Sequence, residues 1–176
     1  AFQRIRLPVK TSCKKIYKMN KKKLSITLSK LKDYSSKKPS LEQYTTPSKT
    51  ASTLIWEAYM QEDIKDKTVL DLGCGNGILG IGALIMKAKK VIFADIDSKA
   101  IKTAKENCEN LGLKNYELIV AHAADIDKKV DTILMNPPFG VQSKGLDKLF
   151  FKKAAKLAKQ TYAIYKRNGV KIIKKL

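Results

Sequence analysis

The chain has 176 residues, 44% of them hydrophobic, which suits one globular domain with its own core. The sequence holds no apolar run near the roughly 20 residues of a membrane helix, and its basic start lacks the features of a secretory signal. The three cysteines lack metal-ligand spacing. We therefore expect reduced thiols in a cytoplasmic protein, with no metal site and no membrane partner.

The formal net charge of +20 is concentrated at the two ends of the chain. Residues 1–40 hold 13 Lys/Arg against one Asp, and residues 144–176 hold 11 against one, while residues 41–143 are nearly neutral. Basic flanks attract polyanions by releasing counterions, without reading their sequence. This distribution favours a nucleic-acid partner over the alternative of a lysine-rich, solvated surface.

The first 18 residues contain Pro8 and show neither helical nor strand periodicity. We expect residues 1–18 to be a disordered basic arm or upstream translation, with the native chain starting at Met19. The folded domain is then predicted to cover residues 19–176.

Two helices are predicted before the first strand. Leucines recur at helical spacing after Met19, at Leu24, Leu28 and Leu31. After a polar loop, an amphipathic stretch runs through Tyr59, with Pro47 in its first turn and Thr46 or Ser48 as its N-cap.

The sequence Asp-Leu-Gly-Cys-Gly-Asn-Gly, residues 71–77, organises the chain. A short apolar strand, residues 67–71, precedes it and a nine-residue apolar run follows, which predicts strand, glycine turn and buried helix. Glycines allow positive φ and expose bare backbone, so Asp71, Gly73 and Gly75 are candidate ligand-binding residues. The free N–H groups of the following helix suit an anionic group. A tight turn without a ligand is the alternative.

The second strand, residues 91–95, is nearly all apolar and ends in Asp95. An acid at this place, about 20 residues past a glycine turn, binds ribose hydroxyls in nucleotide folds. Asp95 is therefore the predicted ribose ligand. Asp97 is assigned to the first turn of the next helix, residues 99–111, which Ser98 is expected to cap.

The loop after the third strand, residues 116–121, offers an acid and an apolar residue. Asp125 and Ile126 could hold the amino group and the ring face of an adenine. His122 is the only histidine and has no partner at ligand spacing, so we assign it no role.

A rigid turn is predicted where the fourth strand, residues 131–135, runs into Asn-Pro-Pro-Phe-Gly at residues 136–140. Two prolines fix the backbone and remove donors at the carboxyl end of a strand, where open parallel sheets bind ligands. This place favours chemistry over a plain strand-ending turn. The candidate catalytic residues are Asn136, Pro137, Pro138 and Phe139.

Together, these features resemble a class I S-adenosylmethionine-dependent methyltransferase. The resemblance implies an α/β fold with a Rossmann-like, doubly wound, mostly parallel sheet. A helix at residues 146–159 and a fifth strand at residues 161–165 precede a short basic tail. Because sheets of this family continue with further strands, we expect this one to be truncated after strand five.

Four motifs together resemble the methyltransferase-like protein five family: Leu-Glu-Gln-Tyr at residues 41–44, the glycine turn, Asp-Ile-Asp at residues 95–97 and Met-Asn-Pro-Pro-Phe-Gly at residues 135–140. That family makes N6-methyladenosine in small-subunit ribosomal RNA, in eukaryotes with a small zinc-binding activator subunit. The resemblance implies S-adenosylmethionine as cofactor and such an activator as a partner. The cofactor contacts that it implies are Gln43, Thr46, Gly73, Asn76, Ile78, Asp95, Asp125 and Ile126, with Asn76 contributing its backbone.

The implied reaction suits the residues of the proline turn. The N6 lone pair of adenine is delocalised into the ring, so the amine must be positioned by acceptors such as the Asn136 side-chain oxygen and the Pro137 carbonyl. Phe139 would stack on an extruded base, a contact worth about 1–3 kcal/mol.

Other activities remain open at this point. Guanine N2, DNA adenine and protein glutamine methyltransferases share similar turns, although the glutamine enzymes usually carry Tyr in place of Phe139. A non-catalytic RNA-binding subunit with this fold is the alternative outside the enzymes.

Overall fold

The computed structural model describes residues 19–33, 45–138, 145–167 and 170–175. Its elements in chain order are α1 (Lys21–Leu28), α2 (Ser48–Met60), β1 (Thr68–Leu72), α3 (Ile78–Ile85), β2 (Lys90–Asp95), α4 (Ser98–Asn110), β3 (Tyr116–Val120), a 3₁₀ turn (Ala123–Asp125), β4 (Val130–Met135), α5 (Leu146–Leu157), β5 (Ala158–Arg167) and β6 (Val170–Lys175). Predictions on residues 1–18, on Gln43 and on Phe139 lie outside the described residues.

The strands form one sheet in the order β3-β2-β1-β4-β5-β6. Strands β1 to β5 pair in parallel and β6 pairs with β5 antiparallel, which confirms the predicted Rossmann-like, mostly parallel sheet. The chain order reverses between β1 and β4, and open α/β sheets bind ligands at the carboxyl ends of the strands at such a point.

A sixth strand occupies the segment for which the sequence predicts only a basic tail. β6 runs antiparallel to β5 over Val170–Lys175, so the expected truncation after strand five is wrong for the described residues. The lysines of this segment suggested a tail, but its β-branched residues favour extended backbone. The preceding helix is also shorter than predicted, because Ala158 is already extended at φ −136° and ψ 153°.

Alternate residues of the central strands face two separate apolar layers. One layer packs the strands against α1 to α4, and the other packs them against α5 and the 3₁₀ turn. Because both faces are covered, the central strands are apolar almost throughout, as their sequences predict. The predicted leucine helix is confirmed as α1, whose buried face is Leu24 and Leu28 and whose N-cap is Asn20.

Helix α3 packs closely against β2 at Gly80. A Cβ added at Gly80 would lie 2.3 Å from Cε1 of Phe93, a fully buried ring, and 2.9 Å from Cγ1 of Val91. A Cβ at Gly82 would instead meet Cδ1 of Ile55 at 2.2 Å, the flexible end of an aliphatic side chain. The close approach at Gly80 keeps α3 and the glycine turn before it seated on the sheet.

We expect Gly80→Ala to lower the free energy of unfolding by about 1–3 kcal/mol, because the added Cβ would overlap both the buried ring of Phe93 and the side chain of Val91. Gly82→Ala in the same helix is the matched control, with the same gain in helix propensity of about 1 kcal/mol. It should cost less, because its added Cβ meets the flexible end of the Ile55 side chain. Urea denaturation of both variants measures the difference. Equal stability of Gly80→Ala and the wild type would contradict this packing.

Candidate active site

The glycine turn after β1 is held in the left-handed region. Gly73, Gly75 and Gly77 have φ values of 73°, 54° and 84°, which glycine adopts without strain. The N–H groups of Gly73 and Cys74 both donate to the Ala94 carbonyl of β2, at 2.8 and 3.0 Å. The turn is therefore fixed to the neighbouring strand, as a ligand platform requires.

Asp71 supports this turn from below. The side chain is fully buried, and its Oδ2 accepts the Gly80 N–H at 2.7 Å, while its Oδ1 has no hydrogen-bond partner among the described residues. Burial raises the pKa of this carboxyl well above its ordinary value. The structure thus places Asp71 beneath the predicted cofactor turn, where it ties β1 to the start of α3.

Asp95 lies beside the glycine turn, as the sequence predicts for a ribose ligand. Its Oδ2 accepts the Gly75 N–H and its Oδ1 accepts the Asp97 N–H, each at 2.9 Å. Burial raises the pKa of the Asp95 carboxyl, while these two backbone hydrogen bonds act in the opposite direction. Each oxygen keeps a second lone pair that can accept a hydroxyl.

The start of α4 differs from the prediction. Asp97 is the N-cap, and its Oδ1 accepts the Lys99 N–H at 3.0 Å, whereas Ser98 is already the first helical residue. Predicting Ser98 as the cap is wrong because the carboxylate one position earlier has the extended backbone that a cap needs. Gly112, at φ 62°, follows the C-cap of α4, where glycine adopts the left-handed conformation without strain.

The loop between β3 and β4 carries the predicted adenine contacts. Asp125 ends the 3₁₀ turn and is exposed, while the side chain of Ile126 is 3% exposed. His122, which had no predicted role, starts the turn, and its Nδ1 accepts the Ala124 N–H at 3.1 Å. The carbonyl of Ile126 accepts a hydrogen bond from Lys153 of α5 at 2.7 Å.

Asn136 follows β4, next to the glycine turn. The Cα of Met135 pairs with that of Leu72, so Asn136 and Gly73 leave neighbouring strands at the same level. Asn136 Nδ2 donates to Thr46 Oγ1 at 2.9 Å, while Asn136 Oδ1 is buried without a partner among the described residues. An unpaired buried acceptor is costly and is commonly kept for a ligand.

Thr46 has a different role from the capping predicted for it. The N-cap of α2 is Pro47, no side chain caps this helix, and Ser48 is its first residue. The hydroxyl of Thr46 instead accepts from Asn136, across 90 residues of sequence, and Thr46 is 6% exposed. The segment before α2 therefore reaches the proline turn.

Asn76 and Asn107 tie the N-terminal segment to the glycine turn. Nδ2 of Asn107 donates to the carbonyls of Lys32 and Asn76, and its Oδ1 accepts the Lys32 N–H. Asn76 Nδ2 also donates to the Lys32 carbonyl, so both the side chain and the carbonyl of Asn76 are engaged within the fold. Asn107 was missed in the sequence, where its only signal is a polar residue on the apolar face of α4.

The predicted residues on the described chain thus gather at one edge of the sheet. Ile78 begins α3, and the turn, Asp95, the Asp125 loop and Asn136 all follow strands whose carboxyl ends lie together. Pro137 is buried and Pro138 half-buried beside them. Cys74 and Cys108 are free, buried thiols whose pKa values are raised, that of Cys108 to about 12, chiefly by burial.

Neither a metal-ligand cluster nor a membrane-spanning helix is present among the described residues. No group of three or more His, Cys, Asp or Glu side chains could hold a metal ion. No described helix is both long and apolar enough to cross a membrane.

Known proteins are similar to this chain over most of its length. A family model described as methyltransferase small domain matches residues 48–165. The uncharacterized protein MJ0284 of Methanocaldococcus jannaschii is 34% identical, covering 84% of this chain and 71% of that protein. The rRNA N(6)-adenosine-methyltransferase METTL5 of Danio rerio is 35% identical, covering 84% of this chain and 73% of its own length.

A solved structure shares the fold closely. The crystal structure of PH1948 from Pyrococcus horikoshii matches with a TM-score of 0.79 and 41% identity, covering 82% of this chain and 71% of that chain. The chain therefore belongs to the methyltransferase small domain family, and within it to the group that includes METTL5.

Proposed function

We propose that this protein transfers a methyl group from S-adenosylmethionine to the N6 amine of an adenine in small-subunit ribosomal RNA. The Danio rerio relative is named for rRNA N6-adenosine methylation, and the similarity extends over most of both chains. The observation that carries the proposal is Oδ1 of Asn136, which lies beside the glycine turn and is buried without a partner in the described part of the chain.

The residues present fit S-adenosylmethionine. The Asp95 carboxylate, held by the Gly75 N–H, suits the ribose hydroxyls, and the positive-φ glycines leave backbone free of side chains. Asp125 and Ile126 suit the adenine, and Thr46 lies beside Asn136 at the end of β4. When bound, this group supplies a methyl on a sulfonium, an electrophile that needs no metal.

Asn136 is suited to holding an exocyclic amine. Its Oδ1 can accept one hydrogen of N6, and the Pro137 carbonyl can accept the other. These two acceptors would hold the nitrogen in a pyramidal, reactive geometry, so positioning and electrostatics supply the catalysis. Because Nδ2 is already held by Thr46, the amide is oriented before the adenine arrives. The amine loses its proton after transfer, so no strong base is required.

The charge distribution supports RNA as the acceptor. Both ends of the chain are strongly basic, and α5 carries the exposed lysines Lys148, Lys152 and Lys156 at four-residue spacing along one face. The phosphates of RNA bind such basic surfaces. A neutral glutamine side chain in a protein substrate would not require a net charge of +20. The basic surface favours ribosomal RNA over a protein acceptor.

Two finer features belong to the same proposal. A small zinc-binding subunit is the expected activator, and the cytoplasm is the expected location, both by analogy with the family. Co-expression with such a subunit, followed by gel filtration, tests the first, and a stable complex with higher activity is the expected result.

Replacing Asn136 with Ala should lower kcat by about 100-fold or more, because the acceptor for the N6 hydrogen is lost. Transfer of label from methyl-labelled S-adenosylmethionine to ribosomal RNA, followed by nucleoside analysis, measures it. The Kd for S-adenosylmethionine should stay close to the wild-type value. Undiminished N6-methyladenosine formation by Asn136→Ala would refute the assignment, and a labelled guanosine or protein would redirect it.

Removing the Thr46 hydroxyl should lower kcat about tenfold, because Asn136 Nδ2 loses its acceptor and the amide can rotate. Thr46→Val keeps the shape of the side chain, while Thr46→Ser keeps the hydroxyl and should retain most activity. Thr45→Val is a neighbouring control, since the Thr45 hydroxyl donates to Asp33 at the surface. Equal rates for Thr46→Val and Thr46→Ser would show that Thr46 does not orient Asn136.

A further inference from the structure

Helix α5 contacts the candidate cofactor site at two points one turn apart. The ring of Phe150 lies against Gly73, where an added Cβ would be 3.0 Å from Phe150 Cε1. Lys153 Nζ donates to the carbonyl of Ile126 at 2.7 Å. One helix therefore braces both the glycine turn and the loop with the predicted adenine contacts.

That loop has little backbone structure of its own. Its 3₁₀ turn covers only Ala123–Asp125, with a backbone hydrogen bond from Asp125 N–H to the His122 carbonyl. The His122 ring caps the start of the turn, and the Ile126 side chain packs in the apolar layer with Phe150. The position of the peptide after the turn thus depends on groups from outside the loop.

Lys153 is well placed to supply that outside contact. Lys153 is half-buried, and its ammonium donates to the backbone carbonyl of Ile126. Ile126 itself is only 3% exposed. A hydrogen bond from a charged donor is stronger than a neutral one, and it gains further where water is partly excluded. The neighbouring Lys152 points elsewhere on the same helix and is exposed.

We propose that Lys153 is a positioning residue for the methyl donor, which holds the loop of Asp125 and Ile126 in place for the adenine ring. This inference rests on the proposed function. Lys153 acts through the Ile126 carbonyl and contacts neither the donor nor the acceptor base. Its loss should therefore weaken donor binding and leave the proline turn intact.

Calorimetric titration of S-adenosylmethionine into the full chain, without RNA, tests this directly. Lys153→Met should raise the Kd about tenfold, since a hydrogen bond from a charged group is lost. The matched control Lys152→Met removes the same charge from the same helix, and its Kd should stay within about twofold of the wild type. Lys153→Arg keeps a charged donor and should restore most of the affinity.

Steady-state kinetics separates positioning from a general structural role. For Lys153→Met, KM for S-adenosylmethionine should rise while kcat stays near the wild-type value, and thermal unfolding without donor should be unchanged. Faster hydrogen exchange at the amides of residues 124–127 should accompany the change.

Three results would overturn the inference. If Lys153→Met binds the donor like the wild type, or if Lys152→Met loses as much affinity, Lys153 does not position the loop. If Lys153→Met lowers the unfolding temperature and kcat together, its role is only structural. A wild-type chain that binds no S-adenosylmethionine would refute the proposed function itself, and this result is distinguishable because it does not depend on the variants.

Discussion

The carbonyl of Ala94 is the group on which the site depends, because it accepts two consecutive N–H groups of the glycine turn, from Gly73 and Cys74. This pair fixes where β1 ends relative to β2. The parallel register then brings the end of β4 to the same level, through the pairing of Leu72 with Met135. The strand register therefore brings together the glycine turn, the acid of β2 and the amide after β4.

Meeting there requires polar groups to be buried, which is unfavourable unless they are paired. Asp95 is paired through two backbone N–H groups, while Asp71 and Asn136 each leave one oxygen without a partner among the described residues. The apolar layers on both faces of the sheet stabilise the fold and offset the cost of burying these groups. Stability and reactivity are therefore divided between the faces of the sheet and its carboxyl edge.

The sequence predicts the fold well where a short local pattern is enough to identify a strand or a turn. Apolar strands, the glycine turn and the acid that ends β2 could be placed because each is a local pattern, and the structure confirms the sheet that they imply. Caps were harder to predict, since Asp97 and Ser98 are both good caps and only backbone geometry separates them. Asn107 and the hydrogen bond between Asn136 and Thr46 depend on partners distant in sequence, which no local pattern shows. Strand β6 is different, because it pairs with the adjacent β5, and the Asn-Gly dipeptide between them is a local hairpin signal that the prediction of a tail missed.

Such long-range ties also connect each half of the proposed site to a distant part of the chain. Thr46 comes from the segment before α2 and holds Asn136, 90 residues away, while Lys153 follows the proline turn and holds the Ile126 carbonyl. The amide proposed to hold the acceptor is thus fixed by a residue that precedes the donor loop in sequence, and the donor loop is fixed by a residue that follows that amide. A shift that loosens the donor loop would therefore reach α5, and a shift of the segment with Thr46 would reach the amide that is to hold the adenine.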